Sequence, residues 1–289
     1  MLSMHINSIV SISKLRTFSE KISRSQRLPK GSIIERHTLD GINVEWITQP
    51  GPAPKSIIMY LHGGAWVLGW YHNHRVLAAY IGRACRSRVV AVDYRLAPEH
   101  PFPASLDDCL TVYRRLINDG IKPEHIVIAG DSVGANLTLA VLFTLRDTKE
   151  PLPAAAVCIC PMTDLAFNGN SYYTQKDALL TAEFARSMSS HYVGDQDVYN
   201  PLISPHYGDL KGLPPLLIHA GKDEIMLNDA ERLADNARRA GVDVTFTVWT
   251  KMWHVWHILV PYLPEAIQAI NEIGSFVHRH IVSKTVVAK

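Results

Sequence analysis

Apolar, β-branched runs recur along the chain at 32–37, 43–48, 56–61, 88–93, 125–129, 155–160, 216–220 and 244–249, and each predicts a strand. Between them, apolar positions return with helical period over 74–85, 104–118, 135–145, 228–240 and 264–280. The first two runs read as an opening pair of strands. After them strand and helix alternate, which predicts a mostly parallel sheet covered by helices on both faces. One stretch, 164–215, breaks this rhythm. It carries aromatics and a short helical pattern at 181–192 but no core strand, and it is too long for a plain connection. Because it follows a strand end, where open α/β sheets place their ligands, it reads as a lid.

The first twenty residues carry scattered apolar positions (Met1, Leu2, Met4, Ile6, Ile9, Val10, Ile12, Leu15) interrupted by His5, Asn7, Lys14 and Arg16. No small-residue cleavage site follows, so an amphipathic helix on the body of the protein is the better reading than a signal peptide. A chain of 289 residues has the length for one α/β domain with a sizeable core. Twenty-nine Lys and Arg against twenty-seven Asp and Glu leave a net charge of +2 with no basic run, which argues against a nucleic-acid partner. No apolar stretch reaches the ~18 residues of a membrane span. An intracellular, cytoplasmic protein is expected. The four cysteines, Cys85, Cys109, Cys158 and Cys160, match no zinc spacing. Alternation in the run 154–160 puts Cys158 and Cys160 on one strand face as small buried hydrophobes.

The chemistry centres on Gly130-Asp131-Ser132-Val133-Gly134, a G-x-S-x-G motif after an apolar run and before a helical one. That context makes Ser132 a candidate nucleophile on a sharp strand-to-helix turn, with the Val133 amide at a helix N-terminus where donors are unpaired. A serine hydroxyl needs a base, and the base an orienting carboxylate, in the chain order Ser, acid, His. Asp223, after the run 216–220, and His254, after 244–249, satisfy that order. Glu224 competes with Asp223, but one residue further on it is expected to face away. His257 competes with His254; being further from the strand end, it reads as packing or pocket lining. The segment His62-Gly63-Gly64-Ala65-Trp66, directly after the strand at 56–61, offers Gly63 and Gly64 as oxyanion donors beside Val133. His62 braces that loop. No metal or cofactor is called for.

These motifs, with Asp93-Tyr94-Arg95-Leu96-Ala97-Pro98-Glu99, His100-Pro101-Phe102-Pro103-Ala104, Asn200-Pro201-Leu202-Ile203-Ser204-Pro205 and Leu213-Pro214-Pro215, resemble the hormone-sensitive lipase family of carboxylesterases from about residue 30 onward. The resemblance implies an α/β-hydrolase fold with an eight-stranded sheet and a helical cap formed by about 1–30 and 165–205. It assigns Ser132, Asp223 and His254 as nucleophile, acid and base, and Gly63, Gly64 and Val133 as oxyanion donors. It makes Arg95 and Glu99 ion-paired scaffolding, and it implies hydrolysis of short- to medium-chain esters of small molecules and dimerisation through the last strand. Ala65 stands where the family has a third glycine, and Val133 where it has a smaller residue. With Trp66 and His257 they are the expected pocket residues, so pocket size is where this chain should differ. The rival readings are an amide or formamide hydrolase on the same residues and a non-catalytic ligand receptor, against which the intact Ser132, Asp223 and His254 argue.

Overall fold

The computed structural model describes residues 12–24, 26–54 and 56–282. The apolar positions expected in an N-terminal helix fall outside these up to Val10. From Ile12 the helix is present, as α1 (Ile12–Ser23). Eight strands form one sheet: β1 (Ile33–Leu39), β2 (Ile42–Thr48), β3 (Ile57–Leu61), β4 (Arg88–Asp93), β5 (Ile126–Asp131), β6 (Ala155–Ile159), β7 (Leu216–Gly221) and β8 (Val244–Trp249). Their order is β1-β2-β4-β3-β5-β6-β7-β8, antiparallel at β1–β2 and β2–β4 and parallel from β4 onward. The helices are α2 (His72–Cys85), α3 (Ala104–Asn118), α4 (Val133–Asp147), α5 (Ser171–Thr174), α6 (Ala182–Val193), α7 (Leu227–Arg239) and α8 (Pro264–Val282).

The central strands are apolar at successive positions because both faces are covered. Side chains alternate across a strand. Met59 and Leu61 of β3, Val90 and Val92 of β4, and Ile126 and Ile128 of β5 therefore join α3, α4 and α7 in one core. Their neighbours Ile58, Tyr60, Val89, Ala91, Val127 and Ala129 join α2 and α8 in the other. β8 is half-buried throughout, as an edge strand is. The expectation for the cysteines fails at one point. Cys158 lies in the first core and Cys160 in the second. β6 stops at Ile159, and Cys160 turns into the left-handed region at φ 49°, which sends its side chain to the other face.

Parallel strands bring their C-terminal ends to one edge of the sheet, and the loops after β3, β5, β7 and β8 meet there. β3 and β5 are register partners, with Leu61 opposite Gly130. The helix leaving β5 passes so close to β3 that a Cβ on Gly134 would lie 2.0 Å from the Leu61 carbonyl oxygen. α1 docks over the same edge through Arg16. Its guanidinium donates to the carbonyls of Val67 and Ala97 and to both oxygens of Glu99, at 2.6–2.8 Å. Arg16 holds the Glu99 carboxyl down to about 2. Arg95 pairs separately with Asp108 at 2.6 Å. Among the described residues no helix is long and apolar enough to cross a membrane.

The contact at residue 134 is with backbone, which cannot swing aside. Gly134→Ala is expected to cost about 2–3 kcal/mol of overpacking, lowering the thermal midpoint by on the order of 5–10 °C in calorimetry.

Candidate active site

Ser132 stands at the turn between β5 and α4 with φ 55° and ψ −118°, a conformation costly for a residue with a side chain. It is held there by its own amide, which donates to the Ile159 carbonyl on β6 at 2.8 Å, and by the amides of Ala135 and Asn136, which donate to its carbonyl at 3.1 and 3.3 Å. The amide of Val133 opens α4 and has no intrahelical acceptor.

The loop after β3 turns through three left-handed residues, Gly64 (φ 118°), Ala65 (φ 54°) and Trp66 (φ 59°), and closes by amides of Val67 and Leu68 donating to the Gly64 carbonyl at 3.1 and 2.8 Å. A buried carboxylate ties this loop to the serine turn. Asp131 Oδ1 accepts the Tyr60 hydroxyl at 2.6 Å and the Gly63 amide at 3.0 Å. The expectation that Gly63 donates to an oxyanion is therefore corrected: its N–H is already committed to Asp131. The amides of Gly64 and Ala65 have no acceptor among the described residues, and both residues line the cavity beside Ser132. Burial pushes the Asp131 carboxyl up against the opposing Tyr60 hydrogen bond. Nothing in periodicity pointed to Asp131; its only signal is an acidic residue in the second place of the G-x-S-x-G motif. His62 braces the loop, stacking on Tyr94 at 4.2 Å with Nδ1 2.7 Å from the Gly63 carbonyl.

The acid is also corrected. His254 Nδ1 lies 2.7 Å from Glu224 Oε2, and Glu224 is wholly buried. Its other oxygen accepts the Gly221 amide at 2.8 Å. Asp223 faces solvent. Its amide donates to the Met252 carbonyl in the loop that carries His254, and this fixes the turn so that residue 223 points outward and residue 224 inward. His254 Nε2 is buried with no partner among the described residues and faces the cavity it lines with Ser132. Burial works against the charged form of His254, but the hydrogen bond to Glu224 and its charge outweigh that, with smaller help from Asp177 and Asp131, so the imidazole titrates above its usual value.

Two residues expected in the pocket lie elsewhere. Trp66 is 1 % exposed and stacks on Tyr192 of α6 at 4.2 Å, its left-handed backbone turning it under that helix. His257 is wholly buried, packed on Trp256 at 3.9 Å, with Nε2 3.1 Å from His219 Nδ1. His254 precedes the short 3-10 turn Trp256–Leu259 across a left-handed Val255, so the two histidines do not share a face. Ala65 does line the cavity, which measures about 150 Å³. Apart from Ser132, His254, His74 and Asp131 its walls are apolar, with Val133, Met162, Leu180, Phe184 and Met226 prominent. Burial drives His74 down to about 4.

Among the described residues one group has ligand atoms close enough to hold a metal, namely Cys160, Glu224 and His254. A metal needs a thiolate, whereas burial, the leading cause, pushes the Cys160 thiol well up. Glu224 and His254 are already spent on each other.

Comparison with known proteins gives the family and the fold. Residues 58–258 match the family described as alpha/beta hydrolase fold. An acetyl-hydrolase of Streptomyces hygroscopicus is 43% identical over 251 residues, 86% of this chain and 83% of that one. An esterase of Acinetobacter venetianus is 39% identical over 242 residues, 82% and 79% of the two chains. A crystal structure of an esterase from the bacterial hormone-sensitive lipase family superposes with a TM-score of 0.92 at 41% identity, covering 96% of this chain and 94% of that one.

The pairing of His254 has a direct spectroscopic check. With Glu224→Gln the burial remains and the compensating charge is gone, so the His254 titration followed by NMR is expected to fall below the ordinary histidine value of ~6.5. Asp223→Asn should leave it in place; a shift there instead would restore Asp223 as the partner.

Proposed function

The chain belongs to the hormone-sensitive lipase family of α/β-hydrolases and is a carboxylic ester hydrolase, and from that premise we propose how its own residues carry the reaction. Ser132 Oγ attacks the ester carbonyl carbon while His254 Nε2 takes the hydroxyl proton. Glu224 holds Nδ1 and stabilises the imidazolium. The amides of Gly64, Ala65 and Val133 receive the developing oxyanion. The tetrahedral intermediate collapses, the alcohol leaves with the proton from Nε2, and Ser132 is left acylated. Water then attacks the acyl-enzyme, giving its proton to Nε2 and releasing the acid, and the proton returns to Ser132. The observation that carries this reading is the free Nε2 of His254, anchored on its far side by a buried carboxylate and opening on the cavity of Ser132.

The cavity sets the substrate. A largely apolar cavity of about 150 Å³ holds a benzene-sized group. An acetyl to butyryl chain fills that space, and longer chains need the walls to move. Leu179, Leu180, Phe184 and Ala185 line it, in support of the 165–205 part of the expected cap; most of the expected first part, up to residue 11, lies outside the described residues. Asp177 bolts that cap to the acid loop. Its carboxylate accepts the Leu179 amide at 2.8 Å on one side and the Ile225 amide, next to Glu224, at 3.3 Å on the other. The half-buried edge strand β8 is the proposed dimer contact. The four buried, unpaired thiols support a reducing cytoplasmic location.

Ser132→Ala is expected to abolish hydrolysis of p-nitrophenyl acetate, and survival of that activity would remove Ser132 from the mechanism. Glu224→Gln should lower kcat about 10³–10⁴-fold, as loss of an orienting carboxylate does, while Asp223→Asn stays within about twofold. Across p-nitrophenyl esters, kcat/KM should peak between acetyl and butyryl and fall at least about tenfold by octanoyl; a flat profile would show that the cavity does not select the acyl chain.

A further inference from the structure

Cys160 stands at the meeting point of the loops that carry the acid and the base, and it takes no part in the reaction as described. Its Sγ, an oxygen of Glu224 and a ring nitrogen of His254 all lie within 4.8 Å of one another. The sulfur accepts the backbone amide of Val255, the residue after His254, at 3.3 Å. The Glu224 carboxylate lies beside the thiol, which burial first and that carboxylate next push well up. The residue is wholly buried and keeps a left-handed backbone, φ 49°, immediately before Pro161. A left-handed cysteine is strained, and such strain persists only where surrounding contacts hold it.

We propose that Cys160 is a positioning residue for the triad: its S–H donates to the Glu224 carboxylate while its sulfur receives the Val255 amide, so that one side chain on the end of β6 fixes the spacing between acid and base. Glu224 comes from the loop after β7 and His254 from the loop after β8, and their 2.7 Å bond alone leaves the carboxylate free to pivot about it. The Gly221 amide holds the second oxygen. Cys160 supplies a third donor from another strand, and its contact to Val255 ties the base loop to the same anchor. The thiol suits this place because burial keeps it protonated. It is therefore a neutral donor, and it adds no second negative charge beside Glu224. The other titratable groups acting on this cluster are Asp177 and Asp131, which favour the charged imidazole, and His257, which is held neutral by burial and by His219.

This inference rests on Glu224 and His254 being acid and base, and its test separates from theirs, because Glu224→Gln and Ser132→Ala decide that reading without touching Cys160. Cys160→Ala is expected to lower kcat for p-nitrophenyl acetate about tenfold, the worth of one hydrogen bond to a charged group, with KM within about twofold. Cys160→Ser restores the donor and should recover most of the loss. A packing role predicts the reverse order, since serine puts a polar group in the core without restoring the lost volume. The acidic limb of kcat/KM should move to higher pH in Cys160→Ala, where Glu224 has lost a donor and holds the imidazolium proton more tightly, and stay with the wild type in Cys160→Ser. Wild-type kcat in the alanine variant, or serine no better than alanine, overturns the proposal. If the alanine variant does not fold, the serine variant decides alone: activity near wild type supports the proposal, and a tenfold loss of kcat overturns it.

Discussion

The carbonyl oxygen of Leu61 lies where a side chain on residue 134 would have to go, and the active site is organised around that close approach. Because β3 and β5 run side by side with Leu61 opposite Gly130, the loop leaving one strand and the turn leaving the other emerge next to each other. The first carries the free amides of Gly64 and Ala65, the second carries Ser132 and the amide of Val133. Asp131 then locks the pair, one carboxylate oxygen holding both the Gly63 amide and the Tyr60 hydroxyl. These amides and the serine share a frame made of backbone, which in the proposed reaction needs little reorganisation when charge develops. Glu224 and His254 come from the loops after β7 and β8, further along the sheet, and have no such frame. They are placed by hydrogen bonds instead.

Burial sorts the histidines of this edge into distinct roles. His62, His74 and His257 are all buried, and desolvation, the leading cause in each, holds them neutral: His62 to about 3, His74 to about 4, His257 well below its ordinary value. His254 is as deeply buried and moves the other way, because it alone has a carboxylate in hydrogen-bond contact with Nδ1. Desolvation costs a buried imidazolium several kilocalories per mole, and only a paired, hydrogen-bonded anion offsets that. Asp131 lies 4.0 Å from His74 Nε2. Its charge is met by neutral donors, so it orients the loop without making His74 a base. One fold edge thus holds a cluster of similar side chains, of which a single one is equipped to shuttle a proton.

The strands and most helices were legible because each is set by a period that the residues repeat many times. Ser132 and His254 were legible because they sit next to strand ends, and a strand end survives a boundary error of a few residues. The errors all fall in turns. Asp223 and Glu224 are adjacent, equally acidic and one rotation apart, and what chooses between them is the Asp223 amide bonding to Met252, a contact across 29 residues of chain. Gly63 departs from expectation because its donor is taken by a side chain 68 residues away. Trp66, Cys160 and Val255 have left-handed backbones that send their side chains, or those that follow, to an unexpected face. A positive φ at a tryptophan, cysteine or valine runs against residue preference, so no local rule reveals it. These are also the positions where tertiary contacts override propensity to build the site, which is why departures from local rules concentrate there.

The small cavity follows from the same geometry. Its walls come from separate parts of the chain: Val133 from the serine turn, Ala65 and Leu68 from the oxyanion loop, Leu180 and Phe184 from the cap, Met162 and Met226 from below. These walls are not equivalent. The methionines are flexible and refill space that a neighbour vacates. Val133 has a stiff β-branched side chain on the first turn of a buried helix and is itself 1 % exposed, so it neither rotates away nor moves with the cap. Ala65 is fixed by a turn that the oxyanion amides require, and any larger side chain there would be carried on the same left-handed backbone. On the proposed mechanism the limit on acyl size therefore lies with the residues that also present the donors. Enlarging Ala65 would load a left-handed backbone beside the donors, whereas trimming or enlarging Leu180 or Phe184 leaves those amides untouched, so variation in chain length is physically easiest on the cap side.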